Sequence, residues 1–201
     1  MLEISQEDEE ERIAREKRSH AIIAREGYVR TSLRQIAQEA QVAVSQISYH
    51  YENKEGLLLA VARRVANKYY DYMQLSLKPE MTPREKGECF IRLYQEVLEN
   101  DSDLFRVLYD LVGLALWSKP VREQVREIFA GIMDQITEEV FTGELMGQLG
   151  LTYSPETLAS LFFSGIFGIA VQALLEPDNK TITGSLDALN VIFKVGEVEL
   201  T

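Results

Sequence analysis

Apolar residues recur along this chain at spacings of three and four, which is the period of an amphipathic α-helix. In Leu33–Ala40 this spacing gives one apolar and one polar face, and Thr31 and Ser32 precede the segment as an amino-terminal cap. A second short helix is predicted over about Ser45–Tyr51. Two helices of under ten residues, joined by about four, have the spacing of a helix-turn-helix.

The remaining segments also have helical periodicity, and prolines and Asp or Ser clusters separate them. Further helices are predicted over Arg12–Glu26, Lys54–Leu77, Arg84–Asn100, Asp103–Trp117, Val121–Glu144, Glu156–Leu175 and about Thr183 to Val195. Gly147–Ser154 is predicted to be a loop. The expected fold class is therefore all-α, with about nine helices: an amino-terminal helix-turn-helix domain followed by a helical bundle.

Charge is distributed unevenly along the chain. The formal net charge is −11, yet residues 12–68 contain eleven Lys or Arg against five Asp or Glu. A basic block on an acidic chain is typical of a polyanion-binding module, although an ordinary solvated surface explains the charge equally well. We predict a disordered acidic tail over residues 1–11, a DNA-binding domain over residues 12–57 and a second domain over residues 58–201.

The second short helix has the side chains that DNA recognition needs. In a helix-turn-helix this helix enters the major groove and its first residues meet base edges, while the first helix braces it against the backbone. Ser45 and Gln46 occupy that first turn, and Tyr49 can reach phosphates from the same helix. The candidate DNA-binding residues are Thr31, Ser32, Arg34, Val44, Ser45, Gln46, Tyr49, His50 and Lys54.

The segment EGYVRTSLRQIAQEAQVAVSQISYHYENKEGLL resembles the DNA-binding domain of TetR-type bacterial repressors. The resemblance is carried by Gly27-Tyr28, by the run Tyr49-His50-Tyr51 and by Lys54-Glu55. It implies a cytoplasmic, homodimeric transcriptional regulator. Such a protein is most often a repressor that binds double-stranded operator DNA and is released by a small-molecule effector.

Four residues depart from the pattern of the resembled family. Gln41 stands where the turn usually has Gly, and Ser45 where the recognition helix has Gly or Pro. Ser48 replaces a common tyrosine, which removes one phosphate contact that the resemblance implies. His20 lies where the first helix usually has an apolar residue, and we interpret it as a core or boundary histidine rather than a ligand.

The second domain contains aromatic residues that could line an effector pocket between helices. The candidate pocket residues are Phe105, Tyr109, Trp117, Phe129, Met133, Phe162 and Phe163. Ordinary core filling explains each of them equally well. The segments GLALWSKPVREQVREIFAGIMDQI and LLEPD loosely resemble the effector-binding half of the subgroup that includes the choline-responsive repressor, and that subgroup's ligand is not transferred to this chain.

The helix predicted at Glu156–Leu175 is apolar nearly all round and must be covered on most sides. In the resembled family the last two long helices pair with those of a second subunit, and the alternative is a core within one chain. The candidate dimer residues are Leu161, Gly165, Gly168, Ile169, Leu186, Leu189 and Phe193. Because this segment contains polar residues and has no basic anchor, we expect no membrane partner.

Other kinds of chemistry find little support in the sequence. Two histidines and one cysteine do not form a metal-ligand cluster, no phosphate-binding or dinucleotide motif is present, and no catalytic triad can be argued. We therefore expect neither a cofactor nor an enzyme. The alternative function is an all-α ligand-binding protein or enzyme whose helix-turn-helix does not bind DNA.

Overall fold

The structure is a computed structural model that describes residues 6–194, with side chains described for residues 12–193. This part of the chain forms ten α-helices and one 3₁₀ helix, without a strand. The first five helices are α1 (Gln6–Glu26), α2 (Leu33–Ala40), α3 (Val44–Tyr51), α4 (Lys54–Ser76) and α5 (Pro83–Asn100). The next are α6 (Asp103–Ala115), α7 (Lys119–Glu139), α8 (Gly143–Leu149), α9 (Pro155–Leu175), α10 (Lys180–Ala188) and the 3₁₀ helix Leu189–Lys194. The predicted all-α class is confirmed.

The helix boundaries differ by more than two residues from the sequence-based expectation in three parts of the chain. The first helix begins at Gln6, so it overlaps the acidic tail predicted for residues 1–11, while residues 1–5 lie outside the described part. The long helix predicted to reach Glu144 ends at Glu139, and α8 occupies part of the predicted loop. The last predicted helix is divided into α10 and a 3₁₀ helix, and Val195 lies outside the described residues.

The predicted cap of α2 is present as a reciprocal pair of hydrogen bonds. Ser32 Oγ accepts the backbone N–H of Gln35 at 3.3 Å, and Gln35 Oε1 accepts the N–H of Ser32 at 2.9 Å. At the other end, Gln41 adopts a left-handed conformation with a φ of 57°. This is the conformation that glycine adopts without strain, so Gln41 serves as the helix terminator where the resembled family has Gly.

One compact unit of the chain comprises the residues up to Lys68 together with Arg106–Arg126, and we call it unit 1. Its helix-turn-helix buries Ile36 and Ile47, which are 0% and 1% exposed. These two residues come from the inner faces of α2 and α3, as the periodicity predicted. Their burial fixes which side of α3 remains outside.

Part of the inward face of α1 is polar, before the buried Ile22 and Ile23, and this part is the charged segment where the resembled family has apolar residues. Arg15, Glu16 and Ser19 are all buried. Arg12 pairs with Glu16 at 2.8 Å, and the Tyr51 hydroxyl donates to the same carboxylate at 3.3 Å. Burial, reinforced by Glu16, raises the pKa of Tyr51 to about 12.

The second compact unit, unit 2, comprises Tyr69–Phe105 and the chain from Glu127 onward. Its core includes an aromatic trio with ring centroids 5.4 to 6.2 Å apart, formed by Phe141, Phe162 and Phe193. Gly87 on α5 lies directly against this trio, because a Cβ added there would be 2.3 Å from Cζ of Phe193.

Helix α9 is the one helix among the described residues that is long and apolar enough to cross a membrane. Its most apolar window has a mean hydropathy of 2.0, and 39% of that window is buried within the protein. The core helix of a soluble protein has the same length and composition, so this property is weak evidence for a membrane span.

Candidate nucleic-acid interface

Helix α3 presents a continuous polar face to the outside of unit 1. Ser45, Gln46, Tyr49 and His50 are exposed on it, while Ile47 anchors the opposite side. Tyr49 is 85% exposed and contacts the His50 ring edge-on, with centroids 5.2 Å apart. An aromatic side chain this exposed has most of its surface available to a partner.

Three other predicted DNA contacts are exposed beside this face, whereas Gln46 on the face is partly engaged within α3. Ser32, Arg34 and Val44 are exposed, and Val44 is 39% exposed at the start of α3. Gln46 reaches back within its own helix, where its Oε1 accepts the N–H of Ala43 at 3.0 Å. The exposed members surround the amino-terminal ends of α2 and α3, where backbone N–H groups favour anions.

Thr31 is placed differently from the candidate DNA contacts. It is 2% exposed, and its hydroxyl donates to the carbonyl of Gly27 at 2.8 Å. The side chain is therefore occupied in holding the turn between α1 and α2. We leave Thr31 out of the proposed DNA-contact set for this reason, and Ser32 supplies the cap.

Lys54 is half-buried and engaged inside unit 1. Its Nζ donates to the carbonyl of Tyr28 and lies 4.1 Å from the centroid of the Tyr28 ring. Burial lowers the pKa of Lys54, and the nearby Asp110 carboxylate opposes that change. Lys54 thus connects the start of α4 to the α1–α2 turn.

The α1–α2 turn is also held from α6. Asp110 Oδ2 accepts the backbone N–H of Tyr28 at 2.6 Å, a charge-assisted hydrogen bond. Near the start of α7, Ser118 Oγ donates to Glu55 at 3.0 Å. Asp110 and Ser118 were not among the predicted site residues, because no local pattern pairs residues 82 and 63 positions apart along the chain.

The seven predicted pocket residues are divided between the two compact units. Tyr109 and Trp117 belong to unit 1, where Trp117 is 87% exposed. In unit 2, Phe129 stacks edge-on with Phe163 at 5.3 Å, whereas Phe162 belongs to the aromatic trio. Phe105 and Met133 lie elsewhere on α6 and α7, and Phe105 is 1% exposed.

Phe105 has an unpredicted aromatic neighbour. Its ring lies 5.9 Å from that of Tyr94, which in turn lies 5.8 Å from Tyr69. Sequence analysis missed these tyrosines because each occupies an ordinary core position of an amphipathic helix. Their hydroxyl groups are the only feature of the sequence that distinguishes them from core phenylalanines.

The predicted dimer residues separate into an outer and an inner set. Leu161 is 59% exposed, and a Cβ added at Gly168 would meet nothing within 4 Å outside its own helix, so both lie on an open side of α9. Ile169 is partly exposed. Gly165 packs against Leu189 of the same chain, since a Cβ there would lie 2.9 Å from its Cδ2.

The inner set consists of Leu186 and Phe193, each 1% exposed within a single chain. A side chain that is already covered by its own subunit has no area left for a partner. We therefore leave Leu186 and Phe193 out of the proposed dimer contacts and treat them as core residues of unit 2.

Known proteins resemble this chain in sequence and in fold. Residues 17–61, which contain α2 and α3, match the family described as bacterial regulatory proteins, tetR family. The fatty acid metabolism regulator protein of Bacillus subtilis (strain 168) is 27% identical over 128 residues, which are 62% of this chain. That match spans 65% of the length of the curated relative.

Residues 17–61 of this chain belong to the tetR family of bacterial regulatory proteins.

Two solved structures show that the fold of the family extends along most of this chain. The transcriptional regulator FadR from Bacillus subtilis in complex with stearoyl-CoA has a TM-score of 0.78 at 18% identity, over 92% of this chain and 98% of that one. A putative transcriptional regulator from Saccharomonospora viridis in complex with choline has a TM-score of 0.78 at 21% identity, over 92% and 96%.

Residues that depart from the pattern of the family have identifiable structural roles in this chain. Gln41 adopts the glycine-like conformation, and the buried Glu16 of α1 pairs with the partly exposed Arg12. The relatives are transcriptional regulators rather than enzymes. Among the described residues, no group of three or more His, Cys, Asp or Glu side chains could hold a metal ion.

Proposed function

We propose that this TetR-family chain is a cytoplasmic, homodimeric transcriptional repressor that binds double-stranded operator DNA and releases it when a small-molecule effector binds. The observation that carries the proposal is the exposed face of α3. Ser45, Gln46, Tyr49 and His50 project from a helix whose other side is locked into the core by Ile47. Rigid presentation of polar side chains is what recognition of a major groove requires.

The DNA contacts divide into those that specify and those that position. Ser45 and Gln46 lie in the first turn of α3 and would meet base edges, where a good contact contributes about 1–3 kcal/mol of discrimination. Tyr49, His50 and Arg34 would hold phosphates on either side. The amino-terminal N–H groups of α2 add a further anion site.

A dimer is supported by the open side of α9. Leu161, Ser164, Gly168 and Leu175 repeat along one face of this helix, and Leu161 and Leu175 are 59% and 77% exposed. Small residues between exposed leucines allow two helices to approach closely. A two-fold dimer would place the two recognition helices on half-sites about one helical turn of DNA apart.

The contacts around Tyr28 support a route between effector and DNA. Asp110 on α6 and Lys54 on α4 both bind the backbone of Tyr28, directly before α2. A displacement of α6 would therefore move the turn that leads into the DNA-binding helices. An effector that prefers the displaced form must weaken DNA binding by its own difference in affinity for the two forms.

The decisive experiment is fluorescence anisotropy with the DNA upstream of the protein's own gene, compared with a scrambled duplex. We expect preferential binding to the upstream DNA. Tyr49→Ala should weaken it by about 1–3 kcal/mol per dimer, roughly 5- to 150-fold, since one hydrogen bond is lost in each subunit. Tyr153→Ala is the matched control, because Tyr153 is 62% exposed and lies outside unit 1.

The proposal would be contradicted if the wild type bound the upstream and the scrambled DNA equally and Tyr49→Ala bound both as the wild type does. That result would favour a helical ligand-binding protein without a DNA function. Stearoyl-CoA and choline, which occupy the two structural relatives, are the first effectors to add. A compound that binds saturably but leaves operator affinity unchanged would refute the ligand-responsive part alone.

A further inference from the structure

Two tyrosine hydroxyls inside unit 2 make no hydrogen bond of ordinary geometry with any described residue. They belong to Tyr69 on α4 and Tyr94 on α5, which are 8% and 6% exposed. The two rings lie 5.8 Å apart at an angle of 43°. The hydroxyls are close enough that a weak interaction, with Tyr69 as donor and Tyr94 as acceptor, affects the pKa of both. The pair therefore places two hydroxyl groups in one region of the interior.

A buried hydroxyl without a partner is unfavourable. Each costs about 1–3 kcal/mol relative to a satisfied group. Phenylalanine would fill nearly the same volume without that cost. An interaction between the two hydroxyls uses only one of their two O–H donors, so the Tyr94 donor is still without an acceptor. The remaining donor indicates that a polar group from outside the chain completes the hydrogen bonds.

Helix α7 of the same unit has a third buried polar atom without a partner. Tyr70 follows Tyr69 on α4, and its hydroxyl lies against Gly131 on α7, where a Cβ would be 2.0 Å away. Gln135 lies one helical turn beyond Gly131 on α7, and its buried Oε1 is likewise without a partner in the described part of the chain. The interior of unit 2 thus offers hydroxyl donors and an amide acceptor.

Charge limits what can bind there. The buried charged side chains of the described residues, Arg15 and Glu16, both belong to unit 1. Asp134 acts on Tyr70 from α7, but its own side chain is exposed. An ionic group placed beside Tyr69 and Tyr94 would therefore be buried without a counter-charge, which is far more costly than burying a neutral polar group.

The tyrosines themselves remain neutral. Burial raises the pKa of both Tyr69 and Tyr94 above the ordinary value of 10.0, so each keeps its O–H donor at physiological pH. Phe105 closes the apolar side of the pair, with its ring 5.9 Å from that of Tyr94. The complementary ligand has an apolar body and a neutral oxygen.

We propose that the hydroxyls of Tyr69 and Tyr94 form the polar contact of the effector site, and that the effector presents an uncharged oxygen, such as an alcohol or ester, on an apolar chain. The inference rests on the proposed function, in which unit 2 binds the effector. It adds the residues that would recognise the ligand and the chemical class of the group they recognise.

The test compares ligands that differ only in the head group. Octyl and dodecyl chains carrying an alcohol, a carboxylate or a trimethylammonium group compete with the neutral fluorophore N-phenyl-1-naphthylamine for the full-length protein. We expect the alcohols to bind at least tenfold more tightly than either charged series of the same length. Tyr69→Phe and Tyr94→Phe should each weaken alcohol binding roughly 2- to 10-fold, the loss expected for one hydrogen bond.

Both substitutions keep the ring, so the variants should melt no lower than the wild type. Tyr153→Phe is the control, because Tyr153 is 62% exposed, and it should leave alcohol binding unchanged. The proposal is overturned if neither alcohol binds, if a charged series binds more tightly, or if Tyr69→Phe and Tyr94→Phe bind the alcohols like the wild type. The last result would show that the hydroxyls hold only an internal water.

Operator binding by the same preparations separates this inference from the proposed function. Alcohol binding that depends on the two hydroxyls, in a protein that does not bind DNA, would support the site and refute the repressor. Specific DNA binding, together with alcohol affinities that Tyr69→Phe and Tyr94→Phe leave unchanged, would support the repressor and refute the site.

Discussion

Phe193 offers a quantitative test of how unit 2 is held together. Its side chain is 1% exposed, and its ring lies 5.4 Å from that of Phe162 and 6.2 Å from that of Phe141. Replacement by alanine leaves a cavity among large aromatic residues that cannot collapse completely. We expect Phe193→Ala to lower the free energy of unfolding by about 3–5 kcal/mol.

Gly87 packs against Phe193, so a substitution at Gly87 tests the same contact. A Cβ at Gly87 would lie 2.3 to 2.9 Å from three atoms of the Phe193 ring, so Gly87→Ala forces a buried ring to move. Overpacking of this kind costs about 1–3 kcal/mol, and the gain in helix propensity returns about 1 kcal/mol. In a Phe193→Ala background the added methyl group has room, and the same substitution should become stabilising.

Urea unfolding of the wild type, both single variants and the double variant gives the coupling energy, which we expect to be about 1–3 kcal/mol in favour of the double variant. Leu161→Ala is the contrasting control: Leu161 is 59% exposed, so its loss should affect self-association measured by sedimentation more than unfolding. A coupling energy below about 0.5 kcal/mol, or a Phe193→Ala cost below about 1 kcal/mol, would refute the packing described above.

Three further predictions concern single hydrogen bonds and one titration. Asp110→Ala should destabilise the protein by about 1.5–3 kcal/mol and speed amide exchange at Tyr28; unchanged exchange would contradict the contact. Ser32→Ala and Thr82→Ala remove equivalent caps and should each cost about 1 kcal/mol in thermal unfolding, but only Ser32→Ala should weaken operator binding. Burial raises the pKa of Tyr94 in the folded state, so stability is lost as pH rises above 10.0, and Tyr94→Phe should lose less in urea titrations between about pH 9 and 11.

The helices α2 and α3 could be predicted well from the sequence because their signals are local. The bounds of α2 coincide with the prediction, and α3 begins only one residue before the predicted Ser45. The cap, the apolar spacing and the turn all lie within about a dozen residues. Each signal favours the same structure, so tertiary contacts do not override any of them.

The missed helix α8 shows the opposite situation. The apolar pattern runs on through Phe141, which favoured one long helix, whereas Thr142 caps a new helix by accepting the N–H of Leu145 at 3.5 Å. Gly150 then ends α8 with a φ of 62°. A cap and a terminator were present in the sequence, but the continuous apolar pattern outweighed them. The contact between Tyr28 and Asp110 carried no local signal at all.

The structure changes the number of phosphate contacts that we expect from the Lys and Arg side chains of residues 12–54. Residues 12–54 contain eight Lys or Arg, but most of them are engaged within unit 1: Arg12 with Glu16, Arg18 with the carbonyl of Ala40, Arg25 with Glu26 and Glu39, Lys54 with Tyr28, and Arg15 by burial. Lys17, Arg30 and Arg34 remain exposed without an internal partner in the described part of the chain.

Counting charges in the sequence would predict about sixteen phosphate contacts for a dimer and a slope of log affinity against log salt near −14. The three exposed cations of each subunit give about six contacts and a slope near −5. A measured slope close to −14 would mean that Arg25, Lys54 and their neighbours exchange their internal partners for phosphates on binding. The contact between Lys54 and Tyr28 would then break when DNA binds, and Asp110 would hold the α1–α2 turn without the help of Lys54 in the DNA-bound state.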